Sequence, residues 1–275
     1  MPRPPRLPAG LSVWRIQGLR DLELRRDERH AVRAEPQVHS QFEIAVVEGA
    51  GQLVRHRGTT HCAPPGGVIV IAPGEAHAHA PSRPGSALRS FYPDLASLID
   101  ASSSTGVATP SFRTPIVADA ELAACVSALH RMLERAGSVL AREVCAVDAA
   151  TMLVSRHAMR ARSARPMGRA ARAVECVREH LHDRLDANVS LAELTALTGL
   201  PAHTLVRAFT AHVGMPPHAY HVHVRIERAK KLLARGHGAA AVAAATGFVD
   251  QSHLTRHFRR CVGVTPGAYV AAVVP

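Results

Sequence analysis

The sequence predicts an α+β multidomain protein: an N-terminal β-barrel with a helical pair, followed by a C-terminal all-α domain with two helix-turn-helix units. Three observations support this prediction. Short apolar runs separated by glycine and proline fill residues 12–93, apolar residues recur at helical spacing in residues 119–185, and one helical unit occurs twice near the C-terminus. A chain of 275 residues is long enough to bury a core in each of two domains.

The N-terminal part has the texture of a small antiparallel barrel. Residues 1–10 are rich in proline and are predicted to be a disordered tail. Four β-like runs follow, with the sequences VWRI, FEIAVV, QLVRH and GVIVIAP. Many short strands joined by Gly-rich turns are typical of a barrel or jelly roll, which we place at about residues 13–93. Residues 94–115 are rich in Ser, Thr and Ala and are predicted to be a connection.

Two helices are predicted at about residues 119–161, which completes an N-terminal domain of residues 11–161. Each has a stripe of apolar residues at helical spacing. The first stripe is Leu122, Val126, Leu129 and Leu133, and the second is Leu140, Val144, Val147, Thr151, Val154 and Ala158. Such a pair either packs on its own barrel or joins two chains, and the pattern leaves both interpretations open. A basic segment around Pro166 predicts an interdomain linker at residues 162–169.

A helical unit occurs twice in the C-terminal domain, residues 170–275, at a constant spacing of 49 residues (254 − 205 = 49). The matched pairs are Leu205 and Leu254, Arg207 and Arg256, Phe209 and Phe258, Gly214 and Gly263, Pro217 and Pro266, and Tyr220 and Tyr269. Each copy has a helix, a turn with glycine, a second helix and a Gly-x-x-Pro stop, which is the outline of a helix-turn-helix. We place the units at residues 190–212 and 238–262. The alternative is an ordinary bundle of αα-hairpins.

The second helix of each unit presents side chains suited to an anionic groove. The predicted DNA base contacts are His203, Val206, Arg207, Gln251, Ser252, Thr255 and Arg256, and the predicted phosphate contacts are Thr204, Arg225, His253 and Arg259. No acidic residue lies between Glu193 and Glu227 or after Asp250, and the net charge of +11 favours a polyanion as partner. For Arg207 and Arg256 the alternative is an intramolecular ion pair.

At these residues the chain resembles the AraC/XylS family of bacterial transcription regulators. The similarity runs from Ser190 to Tyr269 and is most specific in GFVDQSHLTRHFRRCVGVTP. The resemblance implies two helix-turn-helix units held about one DNA turn apart by a central helix. The helix predicted from Pro217 to Arg235 would be roughly 28 Å long, close to the roughly 34 Å of one duplex turn. The first helix of the second unit departs from the family, because Gly238, Ala239 and Ala241 stand where a serine cap, an isoleucine and a glutamate are usual.

Two N-terminal motifs resemble those of cupin barrels, which commonly form the sensor half of AraC-type regulators. They are QVHSQFE, residues 37–43, and the segment from Gly67 to His77. The resemblance implies that His39, Glu43 and His77 face an effector pocket in the barrel. Metal-binding cupins have a histidine where this chain has Gln37. We therefore predict no cofactor and keep His39, Glu43 and His77 only as secondary candidates for metal ligands.

These observations predict a sequence-specific DNA-binding transcription regulator, with no catalytic residue, that responds to a small-molecule effector in the barrel. The resemblance implies double-stranded DNA, an effector and a second copy of the chain as partners, with RNA polymerase as a further candidate. The alternatives are a cupin metalloenzyme fused to a DNA-binding domain and an effector-independent DNA-binding protein. A DNA-repair fusion would need clustered cysteines, which Cys62, Cys125 and Cys145 do not provide.

The sequence also predicts a cytoplasmic location without a membrane partner. The five cysteines are scattered and form no CxxC pair, which is typical of a reducing compartment. No apolar run approaches the ~18 residues that a membrane-spanning helix needs, and the first residues lack an apolar signal core.

Overall fold

The computed structural model describes residues 6–7, 10–16, 22–28, 36–102, 110–135, 138–159 and 168–274. Most of the predicted tail and of the predicted linker lies outside these described residues, as do residues 103–109 of the predicted connection. The described residues form a β-rich N-terminal half and a helical C-terminal half, so the predicted fold class is confirmed.

Two antiparallel sheets make up the N-terminal half. The strands are β1 (Arg6–Leu7), β2 (Leu11–Ile16), β3 (Leu22–Asp27), β4 (Glu43–Gly49), β5 (Gln52–His56), β6 (Thr59–Ala63), β7 (Val68–Ile71), β8 (His77–Pro81), β9 (Ser86–Tyr92) and β10 (Ile116–Val117). One sheet has the order β1-β2-β3-β9-β4-β7-β10 and the other the order β6-β5-β8. The four predicted runs correspond to β2, β4, β5 and β7, so the other strands were not predicted individually. In β3 and β9, Arg25 and Arg89 interrupt the apolar pattern.

The space between the sheets is apolar at one end and polar at the other. Ala45 and Val47 of β4 lie in an aliphatic cluster with residues of β5, β7 and β9. Glu43 is next along the same face of β4, because alternate residues of a strand share a face. Ser90 and Tyr92 of β9 each donate a hydrogen bond to Glu43, at 3.1 and 3.2 Å. The polar end of the barrel is therefore formed around a buried carboxylate.

Helices cover the other face of the larger sheet. They are α1 (Leu95–Ser102), α2 (Ala120–Leu133) and α3 (Val139–His157). Trp14, Phe91, Leu122 and Leu153 belong to the core between these helices and the sheet. Helix α1 lies inside the segment predicted to be a connection, so that prediction was wrong for residues 95–102.

Helix α3 has apolar residues on two sides, and only one of them is buried. Leu153 and Val154 are each 1% exposed, whereas Leu140, Val144 and Val147 are 69%, 51% and 56% exposed. These last three residues, here called the α3 stripe, are spaced by four and three residues and therefore lie side by side on the helix. The apolar stripe predicted for this helix is therefore exposed in its N-terminal part and buried at Val154.

The C-terminal half consists of helices arranged in two similar units. They are α4 (Arg169–Asp183), α5 (Leu191–Thr198), α6 (Ala202–Val213), α7 (Pro217–Ala234), α8 (Ala239–Ala245), α9 (Gln251–Val262) and α10 (Pro266–Val273). Helices α5 and α6 form the first helix-turn-helix, α8 and α9 form the second, and α7 joins them. The duplication extends to the cores, because the rings of Phe209 and Tyr220 and the rings of Phe258 and Tyr269 both meet edge-on at 5.5 Å.

Side-chain caps begin several of these helices. The Ser190 hydroxyl accepts a hydrogen bond from the Glu193 amide at 3.1 Å, and Asp250 accepts one from the His253 amide at 2.7 Å. Both caps agree with their sequence signatures. The Glu193 carboxylate also lies 2.7 Å from His180 Nε2, which ties α5 to α4.

The two halves pack directly against each other. Leu11 and Val13 of β2 belong to the core of the second helix-turn-helix unit. Val38 and Ala76 belong to the core of the first unit. The contact at Ala76 is close, since a Cβ added to Gly214 would lie 3.1 Å from the Ala76 Cβ. Helix α7 lies between these contacts and covers the polar end of the barrel.

Candidate DNA interface and sensor cluster

Helices α6 and α9 each bury one side and present the predicted DNA contacts on the other. Leu205 and Phe209 of α6 are fully buried, as are Leu254 and Phe258 of α9. The predicted base contacts His203, Arg207, Gln251, Ser252 and Arg256 are exposed, and Val206 and Thr255 are partly exposed. The structure therefore leaves all seven predicted base contacts accessible from outside.

Arg207 and Arg256 occupy equivalent positions in the two units. Within the described part of the chain, neither guanidinium has a carboxylate at salt-bridge distance. This excludes the intramolecular ion pair for the described residues. Two unneutralised guanidinium groups at equivalent positions suit contact with guanine or phosphate.

Arg225 departs from its predicted role as a phosphate contact. It is 8% exposed, and its guanidinium donates hydrogen bonds to the backbone carbonyls of Leu185 and Ala187 at 2.7 and 2.6 Å. Arg225 also packs closely against Gly247, because a Cβ added to this glycine would lie only 2.6 Å from the Arg225 Nη2. Arg225 therefore fastens the loop before α5 to α7, and we leave it out of the proposed interface.

The other predicted phosphate contacts lie at the edges of the recognition helices. Arg259 is exposed, and Thr204 and His253 are partly exposed. The His253 ring meets the Phe248 ring edge-on at 5.4 Å and its Nδ1 lies 3.4 Å from the Val249 amide nitrogen. His253 thus supports the turn before α9 while remaining partly accessible.

The three predicted pocket residues come together at the polar end of the barrel. His39, Glu43 and His77 are buried, and one ligand atom from each lies within 4.8 Å of the others. A fourth residue, His79, joins them, with its Nε2 3.1 Å from Glu43 Oε2. These four residues are here called the sensor cluster. Sequence reasoning missed His79, although its position two residues after His77 on β8 places both imidazoles on one face.

The charges in the sensor cluster are strongly coupled. Burial opposes ionisation of Glu43, but His79 and His77 outweigh that effect and hold the pKa of Glu43 well below its usual range. Burial lowers the pKa of His39, which favours its neutral form despite the nearby Glu227. The sensor cluster therefore combines an ionised carboxylate, Glu43, with a nearby imidazole, His39, whose neutral form is favoured.

A second buried group of charges joins the barrel to α7. Lys230 Nζ lies 3.0 Å from Glu23 Oε1 and 3.2 Å from Glu227 Oε1. The Tyr269 hydroxyl donates to Glu23 at 2.7 Å, and Arg15 Nη2 lies 3.4 Å from Glu23. These five residues are here called the interdomain network. Burial opposes both charges, but Lys230 lowers the pKa of Glu23 and Glu227, and the two carboxylates raise the pKa of Lys230.

The sensor cluster and the interdomain network meet at a small enclosed void. His39 Nδ1 lies 3.6 Å from Glu227 Oε1, which links the two groups. The void between them, lined by Gln37, Tyr92 and His223 among others, has a volume of ≈ 10 Å³. This is room for about one water molecule. A larger effector could reach the sensor cluster by this route only if α7 moved away from the barrel.

Among the described residues, no helix combines the length and the hydropathy needed to cross a membrane.

Two family models match the chain. An AraC-like ligand binding domain matches residues 21–144, and a helix-turn-helix domain matches residues 194–272. Among curated relatives, the HTH-type transcriptional regulator YbfI of Bacillus subtilis, itself uncharacterised, is 32% identical over 145 residues, which are 53% of this chain and 52% of YbfI. The MmsAB operon regulatory protein of Pseudomonas aeruginosa is 34% identical over 94 residues, 34% of this chain and 29% of that protein. The chain thus spans about half or less of the length of these relatives.

Solved structures of ToxT from Vibrio cholerae share the fold of both halves. ToxT with a bound unsaturated fatty acid has a TM-score of 0.58 and 10% identity, covering 91% of this chain and 94% of that one. ToxT of strain O395 has a TM-score of 0.54 and 11% identity, covering 91% of this chain and 96% of that one. This similarity shows the fold of both halves, whereas the predicted family is confirmed by the two family models, which together span most of the chain. The chain belongs to the AraC/XylS family of transcriptional regulators, with an AraC-like ligand-binding domain followed by its helix-turn-helix domain.

Proposed function

We propose that this protein is a sequence-specific DNA-binding transcription regulator whose barrel responds to a small effector. The observation that supports this most directly is the pair of equivalent recognition helices, α6 and α9, with exposed Arg207 and Arg256 at matched positions. Helix α7 joins the two units through 18 residues, or roughly 27 Å, which suits adjacent turns of one DNA groove.

In this proposal each recognition helix enters the major groove. The base contacts are His203, Val206, Arg207, Gln251, Ser252, Thr255 and Arg256, and the phosphate contacts are Thr204, His253 and Arg259. Arginine pairs with guanine through two parallel hydrogen bonds, glutamine does the same with adenine, and the Val206 methyl groups suit a thymine methyl.

The contact of the barrel with α7 offers a route from effector to DNA. The sensor cluster and α7 share the link between His39 and Glu227, and α7 fixes the spacing of the two recognition helices. The barrel can be either in contact with α7, as in this structure, or separated from it. A ligand that binds one of these two arrangements more tightly would change the fraction of molecules whose recognition helices are placed for DNA binding.

A selection of bound sequences from random double-stranded DNA tests the proposed function. We expect two short conserved boxes about one helical turn apart, one for each recognition helix. Binding that depends on salt but not on sequence would contradict the proposal and favour an effector-independent DNA-binding protein. Loss of the box for one unit in the Arg256→Ala variant, with the other box retained, would assign each box to its helix.

We also propose that the protein forms a homodimer through the α3 stripe. Leu140, Val144 and Val147 form an exposed apolar row on one helix, and a second copy would cover it with the same row. We expect the Leu140→Glu variant to raise the dimer dissociation constant about tenfold or more in sedimentation equilibrium. Ala141→Glu, which adds the same charge beside the stripe, is the matched control. Equal dissociation constants for wild type and Leu140→Glu would contradict this interface.

Two finer features complete the proposed function. We infer a cytoplasmic location, supported by free cysteines at all five positions. We infer contact of the DNA-bound protein with RNA polymerase, as expected of a transcription regulator. The relatives described above are transcriptional regulators, which supports a non-enzymatic role.

A further inference from the structure

We propose that His257 and Arg260 of α9, together with His253, bind phosphates of the DNA backbone between the two boxes. This proposal rests on the proposed function, because it requires α9 to enter a major groove. The three residues, here called the α9 row, are spaced by four and three residues and therefore follow one edge of the helix. Arg260 is exposed and the two histidines are partly exposed. Sequence reasoning had assigned only His253 of the α9 row to DNA.

The α9 row lies along the rim of the surface that carries the predicted base contacts. His257 follows Arg256 in the chain and is therefore turned by about 100° from it around the helix axis, toward the buried side with Phe258. A helix with its side chains is about 10–12 Å wide and nearly fills the major groove, which is about 12 Å wide and bordered by phosphates. Side chains at the rim of a recognition helix are therefore placed for phosphates rather than for bases.

The rim in question is the one next to α7. The Phe248 ring supports the α9 row, since its centroid lies 5.4 Å from that of His253 and 5.7 Å from that of His257. The same ring contacts α7, because the Arg225 Cζ is 6.0 Å from its centroid. Helix α7 follows α6 after the short turn at residues 214–216. The α9 row therefore lies toward the space between the two recognition helices, where the DNA backbone would pass from one box to the other.

Both imidazoles of the α9 row keep a donor for a phosphate oxygen. Arg260 Nη2 lies 3.1 Å from His257 Nδ1, and Nδ1 is the acceptor because a guanidinium can only donate. The Val249 amide likewise donates to His253 Nδ1 at 3.4 Å. A neutral imidazole that accepts at Nδ1 carries its proton on Nε2. Each ring therefore offers an Nε2–H group, and Arg260 adds a positive charge.

The surroundings of His257 are basic. Burial and then the neighbouring Arg260, His253, His218 and Arg256 lower the pKa of His257 to about 4, which keeps its ring neutral near neutral pH. His218 belongs to α7, so basic groups of two helices meet at this rim, and α9 itself contains no acidic residue. A group of cations that disfavours a further proton favours a phosphate in its place.

The first unit shows that the fold does not require the α9 row. By the 49-residue offset, the positions that match His253, His257 and Arg260 are Thr204, Ala208 and Ala211. Helix α6 contains one arginine, whereas α9 contains three. Since the same helix forms with alanine at two of the three positions, packing does not explain the basic side chains of α9. We therefore expect the second unit to provide the larger share of the salt-dependent attachment to DNA.

The salt dependence of binding tests the α9 row in the full-length protein. The logarithm of the association constant falls with the logarithm of the salt concentration by about 0.9 for each phosphate contacted. We expect Arg260→Ala to reduce this slope by about 0.9, and to do so equally on the selected operator and on a scrambled duplex. Arg55→Ala, which removes the same charge from an exposed position on β5, is the matched control and should keep the wild-type slope.

Neutral methylphosphonate linkages in the operator locate the contact. Placed between the two boxes, they should weaken binding of wild type about 5- to 10-fold but leave binding of Arg260→Ala nearly unchanged, because that contact is already lost. The same linkages outside the boxes should affect both proteins equally. His257→Phe keeps a ring against Phe248 but removes the Nε2–H group, and we expect it to weaken binding to both duplexes about 3- to 10-fold.

A wild-type salt slope in Arg260→Ala would reject the α9 row, and equal effects of the linkages between the boxes on wild type and Arg260→Ala would reject its placement. If thermal unfolding shows that Arg260→Ala is not folded, His257→Phe decides, and an affinity equal to that of wild type would reject the proposal. Failure of the proposed function is a separate result. It would appear as a selection without boxes, whereas the slope on the scrambled duplex needs no operator.

Discussion

Replacing Lys230 with methionine is expected to lower the free energy of unfolding by about 3–5 kcal/mol. Lys230 Nζ is the cation between Glu23 and Glu227, at 3.0 and 3.2 Å, and the three side chains are almost fully buried. Methionine fills the space but leaves two buried carboxylates with less neutralising charge. Urea unfolding near neutral pH measures the loss.

Two further variants make the Lys230 prediction specific. Lys231→Met changes an exposed lysine next to it and should alter stability by no more than about 0.5 kcal/mol. Adding Glu23→Gln and Glu227→Gln to Lys230→Met should recover much of the loss, because the buried groups are then neutral. Unfolding of Lys230→Met at the wild-type midpoint would contradict the prediction.

Acid should reduce the difference between wild type and Lys230→Met. The pKa of Glu23 and of Glu227 is lowered in the folded protein, with Lys230 the largest favourable cause against opposing burial. The stabilisation is therefore complete above the ordinary carboxyl value of 4.5 and is lost as the pH falls toward the folded-state values.

Replacing both Arg207 and Arg256 with alanine is expected to weaken binding to the selected operator by about 2–6 kcal/mol. Each arginine is expected to contribute about 1–3 kcal/mol to discrimination, and residues on separate recognition helices contribute additively. Affinity for a scrambled duplex should change much less. Fluorescence anisotropy with both duplexes at one stated salt concentration measures the two effects.

The control for charge is the Arg55→Ala/Arg83→Ala variant. It removes two positive charges from exposed positions on the barrel and should leave operator binding nearly unchanged. An equal loss on operator and scrambled duplex in the Arg207→Ala/Arg256→Ala variant would instead assign both arginines to phosphates.

Features that depend on neighbouring residues were predictable from the sequence. Ser190 and Asp250 cap their helices as their local motifs predict. Helix α7 ends at Ala234, one residue before the predicted end, because its length is set by Pro217 and by the turn after it. The two units could be matched because the 49-residue offset repeats both their core and their exposed residues.

Features that depend on distant packing were not predictable. Lys230 and Glu23 meet across the interface of the two halves, and nothing in either local sequence indicates a partner. Arg225 looked like an exposed cation because helical periodicity does not reveal the carbonyls of Leu185 and Ala187. The α3 stripe shows the same limit, since its spacing predicts which residues share a face but not what covers that face. The contact of His79 with Glu43 shows this limit too, because spacing places His79 beside His77 on β8 but does not reveal that β8 faces Glu43 of the other sheet.

The length of α7 has a consequence for how the target sites of this regulator can evolve. Each residue inserted into α7 would move one recognition helix by about 1.5 Å and rotate it by about 100° relative to the other. A single insertion or deletion would therefore turn one unit away from the groove that the other occupies. Nor can α7 change length freely, since Glu227 and Lys230 must still meet the barrel. Over generations, the promoters controlled by this protein should therefore diverge through base substitutions within the boxes, while the distance between the boxes stays constant.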